Sequence, residues 1–283
     1  MSEDEELTKK VKDLALELGA DKVGIADATL AEDPPHGHGN PSAMMKDAKT
    51  AISLVLAYPD ASFGIDMTDD LIMGGIYVAT QEFMNNELSH IALKLARFLE
   101  KEGYKAVVVS PELPRDEKRW AGAISHRYIG QLAGVGEIGQ SNLLLTPEWG
   151  PRIQVTTVIS NAPLKVDGPK LIDKVCKHCN TCVEKCPPRA IGAENYPPYN
   201  FNINRCFWGV MGWYRLTKVE EPPKDWVDAR PTAMIMVPKY ERQYPQIKEY
   251  QELESRLGWY PLCAECVVHC TVGKEAAEKR LKK

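Results

Sequence analysis

The sequence predicts an α+β protein built in two parts, and two observations carry the prediction. Helical and extended patterns alternate from the N-terminus to about residue 160, which is how a helix-and-sheet sandwich reads. After that the alternation stops. All eight cysteines lie at or beyond Cys176, in a stretch punctuated by the doublets Pro187-Pro188, Pro197-Pro198 and Pro222-Pro223. Composition turns toward proline, glycine and charge between Asn161 and Lys170, so the expected domains are 1–165 and 166–283.

Each element has its own signal. Leu7, Val11, Leu14 and Leu18 recur at helical spacing, and Gly19 ends that helix. Asp21 to Ala26 reads as a short strand. Pro34 to Pro41 is a loop, because its glycines and prolines cannot sustain a helix. The apolar run from Ala51 to Ala57 is a buried strand by length and flanks. Ile76 to Gly103 is a long helix with Leu88, Ile91, Leu95, Phe98 and Leu99 on one face. Ala106 to Val109 is a further strand, and Ser125 to Leu132 is helical. Two strands, Leu143 to Leu145 and Ile153 to Ile159, flank a turn from Thr146 to Pro151.

Composition narrows the function. The chain has 283 residues, is 44% apolar and carries a formal net charge of −4. Lysine and arginine are scattered except in the tail Lys279 to Lys283, which reads as a solvated helix end, so no nucleic-acid footprint is expected. The acidic start Met1 to Glu6 has no apolar run behind it and no twin arginine. No stretch reaches the roughly 18 apolar residues of a bilayer span. The expected place is the cytoplasm, with no membrane partner. Cysteines clustered in such a chain point to metal rather than to disulfides.

Cys176-x2-Cys179-x2-Cys182-x3-Cys186-Pro187 is the bacterial ferredoxin run. Three thiolates three residues apart on a tight loop can meet three corners of one [4Fe–4S] cubane. The fourth leaves on the next helix and reaches the other cluster, and Pro187 keeps the chain from folding back. The second group, Cys263-x2-Cys266-x3-Cys270, has the lone Cys206 well upstream. By the crossing rule, one cluster takes Cys176, Cys179, Cys182 and Cys270, and the other takes Cys186, Cys206, Cys263 and Cys266. No thiol is left over. The plainer alternative is one cluster plus a zinc or structural site, although zinc wants two pairs separated by a longer arm.

Gly134-x-Gly136-x-x-Gly139 matches the dinucleotide fingerprint in letters, but a helix precedes it and a strand follows, the reverse of what that motif needs. Two readings remain: a turn that needs positive φ, or backbone lying close against a flat cofactor.

Four stretches together resemble the cobalamin-dependent iron–sulfur oxidoreductases, the superfamily of reductive dehalogenases and epoxyqueuosine reductases. They are Leu18 to Ile25; Ala48 to Tyr58; Ala133 to Gly139 with Leu144 to Arg152; and the cysteine pattern with its detached Cys206. The third looks more like the dehalogenase version. The resemblance implies a nitroreductase-like α/β sandwich that binds a corrinoid base-off, followed by a ferredoxin-like domain with two [4Fe–4S] clusters. No cobalt ligand would come from the protein. Departures are specific: Trp120 stands where the epoxyqueuosine reductases carry a catalytic aspartate, Gln140 stands where a basic residue usually follows, and their helical-repeat domain has no counterpart here.

The candidate residues follow. Gly134, Gly136, Gly139 and Asn142 would lie along the corrinoid. His126 and Arg127 would contact it or the substrate, unless they are a solvated helix face. Tyr128 is the candidate proton donor, against the plain alternative of a packing tyrosine. His36 and His38 read as loop, and His178 and His269 as spacers or cluster-tuning groups. Phe207, Trp208, Trp213 and Tyr214 read as core. The expected activity is reduction of a small organic substrate at cobalamin. Electrons would come from a low-potential ferredoxin- or flavodoxin-like donor, with no nucleic-acid partner and a homodimer left open. Alternatives are a corrinoid carrier or reductive activator, or an electron-transfer protein whose first domain binds flavin or nothing.

Overall fold

The structure is a computed structural model that describes residues 3–32, 34, 38–63, 71–111, 115–116, 118, 121–192, 201–257 and 263–281. The readings made on His36, Trp120, Lys282 and Lys283 fall outside them.

A mixed helix-and-sheet architecture is present. The first part runs α1 (Glu3–Glu17), β1 (Lys22–Asp27), α2 (Pro41–Met44), β2 (Thr50–Ala57), α3 (Leu71–Lys101), β3 (Ala106–Val109), β4 (Arg115–Asp116), β5 (Ala121–Gly122), α4 (His126–Leu132), β6 (Glu137–Ile138), β7 (Leu144–Leu145) and β8 (Ile153–Ser160). The rest is helical and loop-rich: α5 (Thr181–Glu184), α6 (Ile203–Val210), α7 (Trp213–Thr217), α8 (Lys224–Val227), α9 (Val237–Gln243), α10 (Pro245–Leu257), α11 (Glu265–Val268) and α12 (Lys274–Leu281). The long helix starts at Leu71, five residues before the expected Ile76. Among the described residues no helix is long and apolar enough to cross a membrane.

The main sheet is antiparallel in the order β1-β2-β8-β3. Successive side chains of a strand face opposite sides, and both sides here are covered. Ile25, Ile52 and Val158 lie opposite one another and face α1 and α3, packing with Val11, Leu88, Leu95 and Leu99. Ala26, Ala51 and Ile159 share the other face, under Ile129, Leu132 and Val135 of α4 and the loop after it. Burial on both faces is why β2 reads as one unbroken apolar run.

Residues 161–167 do not hang free after β8. The Asp167 carboxylate takes the Ile25 amide at 2.9 Å and pairs with Lys12 at 2.5 Å, and its own amide donates to the Ile25 carbonyl at 2.8 Å. Farther along, Trp208, Trp213, Trp226 and Tyr240 form a separate buried core with edge-on rings 5.4–5.6 Å from Trp208. Both buried indole N–H groups have carbonyl partners: Trp208 donates to Val219 and Trp226 to Asn204. The segment between Cys206 and Cys263 is thus packed round its own aromatic centre. It touches the first part where the Thr232 hydroxyl donates to the Lys118 carbonyl at 2.5 Å.

Candidate functional site

The eight cysteines are all free thiols, and the fold sorts them into two groups. Around Cys182, burial and then the charges of Cys176, Cys270 and Cys179 push its thiol up to about 11. Around Cys206, burial and then Cys263 and Cys186 push its thiol up to about 12. Cys263 is likewise pushed up to about 12, chiefly by burial. Burial raises Cys266 well above the usual thiol value, and Cys263, Cys206 and Cys186 add to that, with Cys182 the weakest of its neighbours.

The groups differ in setting. Cys179 is exposed, and the Thr181 hydroxyl 3.3 Å from its sulfur lowers its pKa. Cys186, Cys206, Cys263 and Cys266 line a cavity of about 150 Å³. Four thiols line one space, and burial is the main cause that raises each of them. Among the described residues no three His, Cys, Asp or Glu side chains are close enough to hold a single metal ion. A four-iron cubane is gripped at its corners by sulfurs set wider than those around one zinc.

The first part of the chain holds both groups in place through residues that the sequence reading did not select. Buried Glu137, inside the glycine loop, accepts the amide of Lys174 at 2.8 Å and that of Cys176. Gln140 donates to the Asn180 side chain at 2.7 Å, at the start of α5, which carries Cys182. Buried Arg152 donates to the carbonyls of Val267 at 3.3 Å, Cys270 at 3.1 Å, and Val272. One guanidinium thereby clamps the chain between the last two cysteines. Gly150 and Gly273, at φ 59° and 77°, let the 146–150 turn pack directly on that segment: a Cβ on Gly150 would stand 2.4 Å from the Val272 carbonyl oxygen.

A larger cavity, about 360 Å³, adjoins the second group. Its walls are apolar at Val109, Ile124, Leu143, Ile153 and Val155, and polar at His38, Ser110, Ser125, His126, Arg127 and Gln154. Arg127 and Leu143 belong to both cavities. The imidazole of His126 lies 2.9 Å from the Thr157 hydroxyl and 3.0 Å from the Ser110 carbonyl. Since a carbonyl only accepts, Nε2 carries the hydrogen and Nδ1 accepts from Thr157. Burial lowers its pKa to about 4, so the ring stays neutral near pH 7.

Several expected positions are corrected. Tyr128 is absent from the walls of either cavity and packs against the second core cluster. Two residues along a helix turn a side chain about 200°, so when His126 faces β8 and the cavity, Tyr128 faces away. Gly136 and Gly139 pack tightly on β7: a Cβ on Gly136 would meet the Leu145 carbonyl oxygen at 2.3 Å, and one on Gly139 the Leu145 side chain at 2.6 Å. Gly134, at φ 68°, does serve a left-handed turn. Asn142 is buried in the left-handed region and presents its carbonyl to Arg127. His269 pairs with Glu265 at 3.1 Å, and His178 is exposed.

No family model matches the chain. Among curated proteins, the epoxyqueuosine reductase of Vibrio cholerae is 28% identical over 220 residues, covering 67% of this chain and 55% of that protein. A tetrachloroethene reductive dehalogenase of Desulfitobacterium hafniense is 30% identical over 148 residues, covering 45% and 25%. The chain spans about half the length of the epoxyqueuosine reductases it matches. Among solved structures, the catabolic reductive dehalogenase NpRdhA aligns at TM-score 0.63 with 19% identity, covering 99% of this chain and 35% of that one. An epoxyqueuosine reductase aligns at TM-score 0.55 with 19% identity, covering 95% and 66%.

One expectation is corrected, that of a small-molecule substrate and no nucleic-acid partner: relatives named epoxyqueuosine reductase are among the sequence matches, beside others named for tetrachloroethene, so kinship gives no ground for excluding nucleic acid. One solved epoxyqueuosine reductase (TM-score 0.48, 21% identical, 73% of this chain and 57% of that one) holds an epoxyqueuosine-modified tRNA stem loop. The mild net charge that argued against nucleic acid describes the whole chain and says nothing about a local docking face.

Proposed function

The chain is a relative of the epoxyqueuosine reductases and reductive dehalogenases, and from that kinship we propose that it is a reductive oxidoreductase with two [4Fe–4S] clusters and a corrinoid. Cys176, Cys179, Cys182 and Cys270 would hold one cluster. Cys186, Cys206, Cys263 and Cys266 would hold the other. The 360 Å³ cavity is smaller than a whole corrinoid, so it would take only part of the ring, beside the second cysteine group. The domain reading that goes with this is a nitroreductase-like sandwich over 1–165 and a ferredoxin-like unit over 166–283.

The single observation that carries the proposal is the shared wall: Arg127 and Leu143 separate the large cavity from the cavity lined by the second four cysteines. When bound, the corrinoid supplies a metal centre that delivers electrons to a bond to be cleaved. The chain's own part is to hold and orient. Apolar walls at Ile124, Leu143 and Val155 exclude water beside a flat ring, while Ser110, Ser125 and Gln154 provide hydrogen-bonding partners for its amide fringe. His126, with both ring nitrogens engaged, acts as a fixed neutral strut between α4 and the sheet. With both nitrogens engaged, His126 would not be free to ligate a bound metal centre.

Relatives are named for tetrachloroethene and for epoxyqueuosine, so the proposal concerns the reaction class and leaves the substrate open between them. Anaerobic reconstitution with iron, sulfide and cobalamin, followed by EPR and cobalt analysis, tests it. The expected result is one bound corrinoid per chain with a base-off signal. Clusters present with no corrinoid retained would contradict the assignment of the cavity.

A further inference from the structure

We propose that Arg127 is the fixed countercharge of the second cysteine site and sets the reduction potential of the cluster held there. The inference rests on the two-cluster reading above. Arg127 sits on α4, whose first turn is capped by the Ser125 hydroxyl, and its guanidinium donates to the Asn142 carbonyl. Arg127 is half-buried and lines both cavities. Burial lowers its pKa, and the charge that acts against this is the thiolate of Cys206.

Arg205 and Arg215 also act on this site, on Cys186 and Cys263, but unlike Arg127 each has a carboxylate partner of its own. Glu265 in the same cavity wall is engaged by Arg215 at 3.9 Å and His269 at 3.1 Å, and Arg205 is paired with Glu221 at 2.5 Å. Among the described residues no carboxylate is within ion-pair distance of Arg127. A guanidinium does not deprotonate in a protein, and a half-buried charge is favoured by an opposite one nearby. A cubane on four thiolates carries net negative charge that grows by one with each electron accepted, and such charge is a determinant of cluster potential. Arg127 therefore stabilises the reduced second cluster more than the oxidised one. It is a positioning residue, acting through the cluster and not ligating it.

The test is EPR-monitored redox titration of the anaerobically reconstituted full chain. The wave that Cys206→Ser removes identifies the second cluster. In Arg127→Gln the reduced-to-oxidised ratio of that cluster at a given potential should fall at least tenfold, a downward shift of about 59 mV for a one-electron couple. The first cluster should not move, and Arg127→Lys, which keeps the charge, should restore most of the shift. Should Arg127→Gln assemble poorly, Arg127→Met carries the same expectation. An unchanged second midpoint, equal shifts in both clusters, or Arg127→Lys behaving like Arg127→Gln would overturn the proposal. A wild-type chain that holds only one cluster would instead overturn the two-cluster reading, and would be recognised before any arginine variant is compared.

Discussion

The two cysteine sites are built in opposite ways. Cys176, Cys179 and Cys182 come from one short loop, with an exposed sulfur at Cys179, and need one distant residue, Cys270. Cys186, Cys206, Cys263 and Cys266 come from three separated stretches and close round an interior cavity that shares a wall with a larger one. The first site is written in local spacing. The second exists only after the aromatic core of Trp208, Trp213, Trp226 and Tyr240 has placed Cys206 next to Cys263. The difference suggests a direction of flow, inward from the exposed site to the one beside the large cavity.

The largest effect that would break this comparison is at Cys206. Cys206→Ser should remove about half of the iron and one of two EPR signals, whereas Cys179→Ser should remove the other half. Exposure to air should separate the sites too, since the solvent-reached cluster should bleach first; simultaneous loss would argue against different burial. Arg152→Gln should be the most damaging substitution outside the cysteines. It leaves the buried carbonyls of Val267, Cys270 and Val272 short of donors, for about 3–5 kcal/mol of stability in urea unfolding. Glu137→Gln should cost less, about 1–3 kcal/mol, and should loosen the first site before the second, because its carboxylate holds the Cys176 amide.

Protonation of His126 separates the fold from both sites. Its folded pKa, about 4, is below the ordinary value of 6.5, so between those values the unfolded chain binds more protons. The stability tied to the neutral ring is complete above pH 6.5 and is lost as pH falls toward 4, by up to about 3 kcal/mol. Unfolding measured from pH 7 to pH 4 on wild type and His126→Gln should show that slope in the wild type alone; parallel profiles would exclude His126 as its source.

Much of the sandwich was legible. The β2 run, the period of α1 and the Ser125 start of α4 are local signals, and the cysteine run carries its own spacing rule. The clamps were not legible. Arg152 meets carbonyls 115 to 120 residues away, and Glu137 reaches Cys176 across 39. Nothing periodic marks such pairs. Glu137 lies inside the glycine motif and Gln140 directly after it, and of that motif's glycines Gly136 and Gly139 pack against β7. Tyr128 was chosen by residue type, and helix geometry turned it from the cavity. The sheet order, with β8 between β2 and β3, comes from pairing between distant strands and has no sequence-local sign.

The central claim is that the two sites are separate and that their ligands cross between the two cysteine groups. Paired iron analysis and EPR of Cys206→Ser and Cys270→Ser test it most directly. The account predicts that each variant keeps about half the iron and that the two lose different signals, Cys270→Ser the exposed cluster and Cys206→Ser the enclosed one. Loss of the same signal in both would contradict it.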